Sequence, residues 1–193
     1  MRIGYTELES KVRARLKESR FIHSRGVAET AAMLASRFGM SAEDARYAGI
    51  YHDAYRYCCT AETPSICRDA GICVFPEEER DPMLLHGALA AIHFPLDAEG
   101  EVDPALILAV RHHTLGSIGM GRLGALIYIA DYIEPGRKHL GAEERERILS
   151  RPDPEGMVIE IMDMQRGYFE SKGIEEAGVS KELYSFLMDG GRL

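Results

Sequence analysis

In residues 48–56, AGIYHDAYR, a histidine and an aspartate directly follow a short, mostly apolar segment. This apolar segment predicts that His52 and Asp53 lie at the buried inner end of a helix, where a carboxylate without a partner would be costly. A His-Asp pair alone is common by chance, and a helical histidine is more often an ordinary hydrogen-bonded residue. The pair therefore indicates a metal site only if further ligands lie elsewhere in the chain.

Four other segments supply such groups. Asp131 follows the uncharged run ALIYIA at residues 125–130, so its carboxylate needs a cation, which is either a metal ion or an arginine. The other candidates are histidines, for which a satisfied buried histidine is the alternative: His23 in RFIHSRGV, His86 in LLHGALAA and His113 in RHHTLG.

The combined donor set contains imidazoles and carboxylates but no cysteine thiolate. Neutral imidazole with carboxylate suits Fe, Mn, Co or Zn. The number of donors is sufficient for two ions, and two ions a few ångström apart can clamp a phosphoryl group and generate hydroxide at neutral pH. The sequence therefore predicts a metal centre for phosphate chemistry.

Length and charge narrow the class of protein. The chain has 193 residues, of which 46% are hydrophobic, so we expect residues 1–193 to form a single domain. The net charge of −8 disfavours binding to nucleic acid or to an anionic membrane surface. A phosphate substrate would therefore need locally clustered arginines.

Targeting signals and disulfides are not expected. The first 19 residues are charged, and no segment approaches the ~20 apolar residues of a membrane span. We therefore expect a cytoplasmic protein. The four cysteines have no zinc-ligand spacing and no secretory context, so we expect free thiols: Cys58, Cys59, Cys67 and Cys73.

The helix start and stop signals along the chain indicate helices almost throughout. Capping boxes are predicted at Thr6–Glu9 and Ser41–Asp44, and three Asp-Pro pairs predict further helix starts. Apolar residues recur at spacings of three and four, whereas only residues 72–75 could be a short extended piece. We predict eight or nine helices and no sheet. The expected stop signals and loops are Gly39, Gly71 and Gly173, and residues 60–64, 71–81, 94–103 and 114–124.

The order of the five metal-ligand segments resembles the HD-domain superfamily, and within it the bacterial YqeK family of symmetrical diadenosine tetraphosphate hydrolases with a di-iron centre. The resemblance runs from about Arg20 to Arg137, and its most specific parts are the RFIH and IADYIEP segments. It implies an all-α fold, an HD-domain helical bundle. It also implies a small-molecule nucleotide substrate, with the oligomeric state left open between a monomer and a homodimer.

Carried over by position, the resemblance implies that Asp53 bridges two transition-metal ions, with iron preferred over Mn, Co, Ni or Zn. A metal-bound hydroxide would cleave diadenosine tetraphosphate into two ADP, with Asp53 and Arg56 as catalytic residues. His113 is preferred to His112 because the family usually has an aromatic residue followed by His-Thr at this point. The implied metal ligands are His23, His52, Asp53, His86, His113 and Asp131.

Five arginines near the motifs are candidates for phosphate binding, because guanidinium makes bidentate contacts with phosphate. Three of them lie inside the matching segments and rank first, although each could equally form a surface ion pair. Arg56 replaces a lysine common in the family, which alters the geometry of a phosphate contact. The candidates are Arg20, Arg56 and Arg137, followed by Arg111 and Arg122.

Two other functions compete with symmetrical hydrolysis. One is an HD phosphohydrolase acting on a nucleoside monophosphate, a deoxynucleotide or an alarmone. The other is a non-catalytic nucleotide-binding module, against which the complete ligand set argues. His86 and His113 favour a two-metal enzyme over the single-metal kind. The glycine-rich segment at residues 116–124 either closes over a phosphate or is mobile.

Overall fold

The computed structural model describes residues 2–193, and this part of the chain contains eleven α-helices, two 3₁₀ turns and no β-strand. The predicted all-α class is confirmed, but the helix count is higher than the expected eight or nine. The helices are α1 (Tyr5–Arg15), α2 (Glu18–Arg37), α3 (Ala42–Tyr51), α4 (Thr63–Asp69), α5 (Pro76–Arg80), α6 (His86–Asp97), α7 (Pro104–His112), α8 (Gly121–Ile133), α9 (Ala142–Leu149), α10 (Pro154–Lys172) and α11 (Gly178–Met188).

Most of the predicted helix starts are confirmed. The Ser41 side chain accepts a hydrogen bond from the Asp44 amide at the start of α3. Asp103 and Asp153 cap α7 and α10 in the same way, each directly before a proline. The capping box at Thr6 is wrong, because α1 begins at Tyr5 and Thr6 lies inside its first turn.

Several segments expected to be loops contain helix. The helices α4 and α5 have only seven and five residues, too few to show an apolar period. The helix α6 continues through Pro95 to Asp97, into the loop expected from residue 94. His93 lies within this helix and stacks on Tyr55 with the ring centroids 4.7 Å apart. Residues 72–75 form no strand, and a 3₁₀ turn at Ile118–Met120 interrupts the glycine-rich segment.

Most of the helices pack around a hydrophobic core that extends from α1 to α11, and a small second cluster, Cys67, Leu85 and Ala88, joins α4 to α6. In the larger core, α2 packs against α3 and α8, α7 lies against α6 and α8, and α10 covers α8. The α2–α3 contact is especially close, because a Cβ atom at Gly49 would lie 2.8 Å from the Cα atom of Ala28. Side chains at the ends of these helices are consequently held by backbone packing.

The four cysteines are free thiols. In the part of the chain that the structure describes, no helix combines the length and apolar character needed to span a membrane.

Candidate metal centre

The candidate ligands all come from helix ends that meet in one place. His23 lies in the second turn of α2, and His52 and Asp53 directly follow α3. His86 is the first residue of α6, and Asp131 lies in the last turn of α8. His113 directly follows α7. The structure thus brings together all six residues that the resemblance implied.

Asp53 lies at the centre of the cluster, and its two oxygens face different ligands. Its Oδ1 atom lies 3.0 Å from His86 Nε2 and 3.8 Å from His113 Nε2. Its Oδ2 atom lies 3.4 Å from His52 Nε2 and 4.0 Å from His23 Nε2. One carboxylate therefore joins two sets of imidazoles.

Asp131 belongs to the set around Oδ2 of Asp53. The Oδ1 atom of Asp131 lies 2.9 Å from His23 Nε2 and 3.8 Å from His52 Nε2. Burial alone would raise the pKa of Asp131, but the hydrogen bond to His23 and the proximity of His52 and Arg137 lower it. The carboxylate is therefore ionised, as metal ligation requires.

Three of the histidines are oriented by the same backbone contact. In each, Nδ1 donates to the carbonyl oxygen three residues earlier, which leaves Nε2 as the free acceptor directed into the cluster. The distances are 2.7 Å from His52 to Gly49, 2.7 Å from His86 to Met83 and 2.8 Å from His113 to Val110.

Glu134 orients the fourth histidine and was not predicted from the sequence. Its Oε1 atom lies 3.1 Å from His23 Nδ1, and its Oε2 atom accepts from the Gly136 amide at 2.6 Å. A Cβ atom at Gly26 would lie 2.5 Å from Glu134 Oε2, so this buried carboxylate needs a glycine beside it. Its position in the IADYIEPGR segment was the available signal.

The protonation states suit a cation. Burial alone would raise the pKa of Asp53, but the neighbouring imidazoles of His52, His113 and His86 hold it well below its usual range. Burial lowers the pKa of His86, although the hydrogen bond to Asp53 opposes this. The cluster therefore combines ionised carboxylates with a neutral imidazole.

Two observations indicate that these residues fit metal ions. His52 Nε2 is buried and has no hydrogen-bond partner among residues 2–193. His86 Nε2 and His113 Nε2 lie 3.0 Å apart, although both are acceptors once each Nδ1 donates to the backbone. Nitrogen and oxygen donors with unshared lone pairs are the set that Fe, Mn, Co or Zn accepts.

Three arginines line the cavity of about 220 Å³ over this cluster. Arg20 Nη1 donates to Asp53 Oδ2 at 2.9 Å. Arg56 Nη1 lies 3.1 and 3.2 Å from the two ring nitrogens of His86, and therefore against the ring. Arg137 pairs with the Asp131 carboxylate. Arg20 and Arg137 also line an adjoining cavity of about 380 Å³.

The structure leaves the other two candidate arginines outside the site. Arg111 is buried and donates to both carboxylate oxygens of Glu78, at 2.6 and 2.8 Å. It precedes His113 by two residues, which is about 200° of helical rotation, so it faces the opposite way. Arg122 is exposed at the start of α8 and does not line the cavity.

His112 also lies outside the cluster. Its ring centroid is 6.4 Å from that of Phe75, and burial lowers the pKa of His112 to about 4. This position agrees with the rotation of about 100° between adjacent helical residues. His113 is thus the histidine of the pair that faces Asp53.

A helical bundle whose helix ends surround a His-Asp pair with further histidines and an aspartate defines a metal-dependent hydrolase of the HD type. The sequence pattern of the HD domain family matches residues 20–136 of this chain. The chain therefore belongs to the HD-domain family, as the sequence predicted.

Curated relatives carry a more specific name, "Bis(5'-nucleosyl)-tetraphosphatase, symmetrical". The protein of Bacillus subtilis is 35% identical over 139 residues, which are 71% of this chain and 73% of the relative. That of Halalkalibacterium halodurans is 32% identical over 152 residues, or 77% and 78% of the two chains. That of Staphylococcus aureus is 32% identical over 136 residues, or 67% and 66%.

A solved structure shares the whole fold. It is the crystal structure of a predicted HD superfamily hydrolase, described as involved in NAD metabolism, from Clostridium acetobutylicum. The TM-score is 0.87 at 29% identity, with 98% of this chain and 100% of that chain covered. The HD-type bundle predicted from the sequence is confirmed by this similarity.

Proposed function

We propose that this enzyme hydrolyses bis(5'-nucleosyl) tetraphosphates symmetrically, so that diadenosine tetraphosphate gives two ADP. The observation that carries the proposal is the position of Asp53, with one carboxylate oxygen toward each of two imidazole sets. The names of three relatives that each align with about two thirds or more of this chain support the same substrate.

The ligand sets suit two metal ions. His23, His52 and Asp131 would hold one ion and His86 and His113 the other, with Asp53 shared between them. Iron is our first choice of metal, among the metals that accept nitrogen and oxygen donors. When bound, such ions polarise phosphoryl oxygens and lower the pKa of a coordinated water to about 7.

The arginines of the chain perform the remaining tasks. A tetraphosphate carries several negative charges, whereas the protein has a net charge of −8, so the substrate must be held by local cations. Arg20, Arg56 and Arg137 provide them around the metal-ligand cluster. Arg56 lies against His86 and can stabilise charge on the reacting phosphoryl group, so we propose it as a catalytic residue with Asp53.

The products test the proposed function. We expect diadenosine tetraphosphate to give ADP as the sole nucleotide product, because we propose that the arginines around the cluster hold the polyphosphate with its central bond at the metal-ligand cluster. In water labelled with heavy oxygen, one of the two ADP molecules should carry one labelled atom. AMP together with ATP would contradict symmetrical cleavage. If the protein dephosphorylated nucleoside monophosphates and left diadenosine tetraphosphate intact, the result would instead support an HD phosphohydrolase that acts on another nucleotide.

Elemental analysis tests the metal count. We expect about two transition-metal ions per chain in loaded protein, and His86→Ala should lose chiefly one. His93→Ala is the matched control, because His93 stacks on Tyr55 outside the cluster. A single ion per chain, unaffected by His86→Ala, would reduce the centre to the mononuclear kind.

A further inference from the structure

A second cavity, of about 300 Å³, adjoins the metal-ligand cluster. It lies where α8 and α10 meet the segment before α11, and Thr114 lines both this cavity and the one over the cluster. Thr114 Oγ1 is 3.2 Å from His113 Nε2. A ligand whose phosphates contact the arginines could therefore extend past Thr114 into the second cavity, whose volume lies at the lower end of the range for ligand pockets.

The walls of this cavity offer aromatic surface and an amide hydrogen-bond donor. Tyr128 and Phe169 contribute the aromatic rings. The Tyr128 hydroxyl donates to Gln165 Oε1 at 2.7 Å, which fixes the orientation of the amide. The NH₂ group of Gln165 is then available to donate to a ligand.

The same cavity offers one free acceptor. Glu77 Oε1 accepts from the Gly178 amide at 2.8 Å, and this hydrogen bond lowers the pKa of Glu77. Glu77 Oε2 is buried and has no hydrogen-bond partner within the described chain. Glu77 lines the cavity, so a ligand that packs against this side chain can supply the hydrogen bond that the unpaired oxygen lacks.

The lining of this cavity disfavours phosphate and favours a flat heterocycle. Its charged residues are Glu77, Glu175 and Glu176 with one arginine, Arg80, so negative charge predominates and disfavours an anion. A planar ring can stack on the aromatic side chains. Adenine offers an amino group as donor and ring nitrogens as acceptors, which match a free carboxylate oxygen and a free amide NH₂.

We infer that this cavity, lined by Glu77, Tyr128, Gln165 and Phe169, is the subsite for one adenine base of the substrate. The Glu77 carboxylate accepts from the exocyclic amino group, the Gln165 amide donates to a ring nitrogen, and Phe169 stacks on the base. The inference rests on the proposed function and deepens it, because it assigns base selectivity to residues outside the metal-ligand cluster.

The test compares ADP with IDP, in which an oxygen replaces the amino group. In metal-loaded wild-type protein, calorimetric titration should show that ADP binds about tenfold or more tightly than IDP, because the oxygen that replaces the amino group in IDP would face the Glu77 carboxylate. In Glu77→Gln the side-chain amide can donate to that oxygen, so the preference should vanish or reverse. Inorganic tripolyphosphate should bind both proteins equally, since it does not enter the cavity.

A second variant tests stacking separately. Phe169→Leu should lower the affinity for ADP about tenfold, since the contact between the base and the aromatic ring is lost. The affinity for tripolyphosphate should not change. An unchanged ADP-to-IDP ratio in Glu77→Gln, or unchanged ADP affinity in Phe169→Leu, would overturn the inference. These outcomes are independent of the proposed function, which fails only if wild-type protein does not produce ADP from diadenosine tetraphosphate.

Discussion

At the scale of single residues, Asp53 connects the two halves of the cluster, since one oxygen of its carboxylate faces each imidazole set. Asp53→Asn keeps the shape of the side chain but removes the charge that two cations would share. We expect hydrolysis to fall by orders of magnitude while helical content is retained, because the core consists of apolar positions elsewhere. A turnover assay with circular dichroism on the same sample measures both quantities.

Asp69→Asn is the matched control for this change, because Asp69 is an exposed aspartate at the end of α4. It should leave turnover unchanged. If folded Asp53→Asn protein hydrolysed the substrate at a near-normal rate, Asp53 could not belong to the centre.

Glu134 gives a second prediction at this scale. Its carboxylate accepts from His23 Nδ1, and such partners typically contribute 10–100-fold to metal affinity. Glu134→Gln keeps the volume and removes the charge, so we expect metal affinity to fall about tenfold. Competition with a chelator measures it, and Glu143→Gln, on exposed α9 surface, is the control. Unchanged affinity in Glu134→Gln would mean that Glu134 only fills space.

The contrast between Asp53 and Glu134 shows what the sequence could reveal at this scale. A carboxylate next to a histidine after an apolar run is recognisable from its neighbours. Glu134 and His23 are separated by more than a hundred residues, and their contact depends on two glycines that leave room for the carboxylate. Arg111 shows the opposite case, because it stands near His113 in sequence but faces Glu78.

At the scale of the element, the approach of α2 to α3 holds the His-Asp turn in place. A Cβ atom at Gly49 would meet the backbone of Ala28 at 2.8 Å, and the Gly49 carbonyl also accepts from His52. Gly49→Ala should therefore force the helices apart and lower the free energy of unfolding by about 1–3 kcal/mol. Urea unfolding monitored by circular dichroism measures this loss.

Gly167 provides the control, because a Cβ atom there meets nothing within 4 Å and the residue lies inside α10. Gly167→Ala should raise the stability by about 0.5–1 kcal/mol. If both variants were stabilised alike, the close approach of α2 and α3 would not limit the fold.

Helix starts were predictable because a capping side chain and the helix it caps are adjacent in sequence, as Ser41 and Asp153 show. Short helices were not predictable for the opposite reason. The five residues of α5 show no period, and the Arg111–Glu78 ion pair ties this helix to α7. Tertiary contacts rather than local propensity therefore decide such elements.

At the scale of the whole molecule, we infer that residues 1–193 unfold as one domain, because one core joins the first helix to the last. Asp97, at the end of α6, connects helices in this core. It pairs with Arg15 and accepts hydrogen bonds from Tyr51 and Tyr55. Burial alone would raise the pKa of Asp97, but these partners lower it.

The lowered pKa predicts acid sensitivity. As pH falls, the unfolded chain takes up this proton before the folded chain does, so the stabilisation is complete above about pH 4 and is lost below it. Asp97→Asn should cost roughly 3 kcal/mol at pH 7, since it leaves Arg15 without its partner. The same change should reduce the loss of stability between pH 5 and pH 2.

Urea unfolding at several pH values measures both effects, with the exposed Asp69→Asn as control. A single transition is expected throughout. If Asp97→Asn had the same pH dependence as the wild type, other carboxylates would account for the acid sensitivity.

The helix ends that carry the metal-ligand candidates also determine when the centre can exist during synthesis. His23 leaves the ribosome early, whereas Asp131 follows only after five of the six candidates have been made. To bring His23 and Asp131 together, the chain must close loops of many tens of residues. The entropic cost of this closure is not offset by the contacts within any one local segment. A nascent chain shorter than about residue 131 therefore lacks the complete set, so capture of metal would report that the bundle has closed.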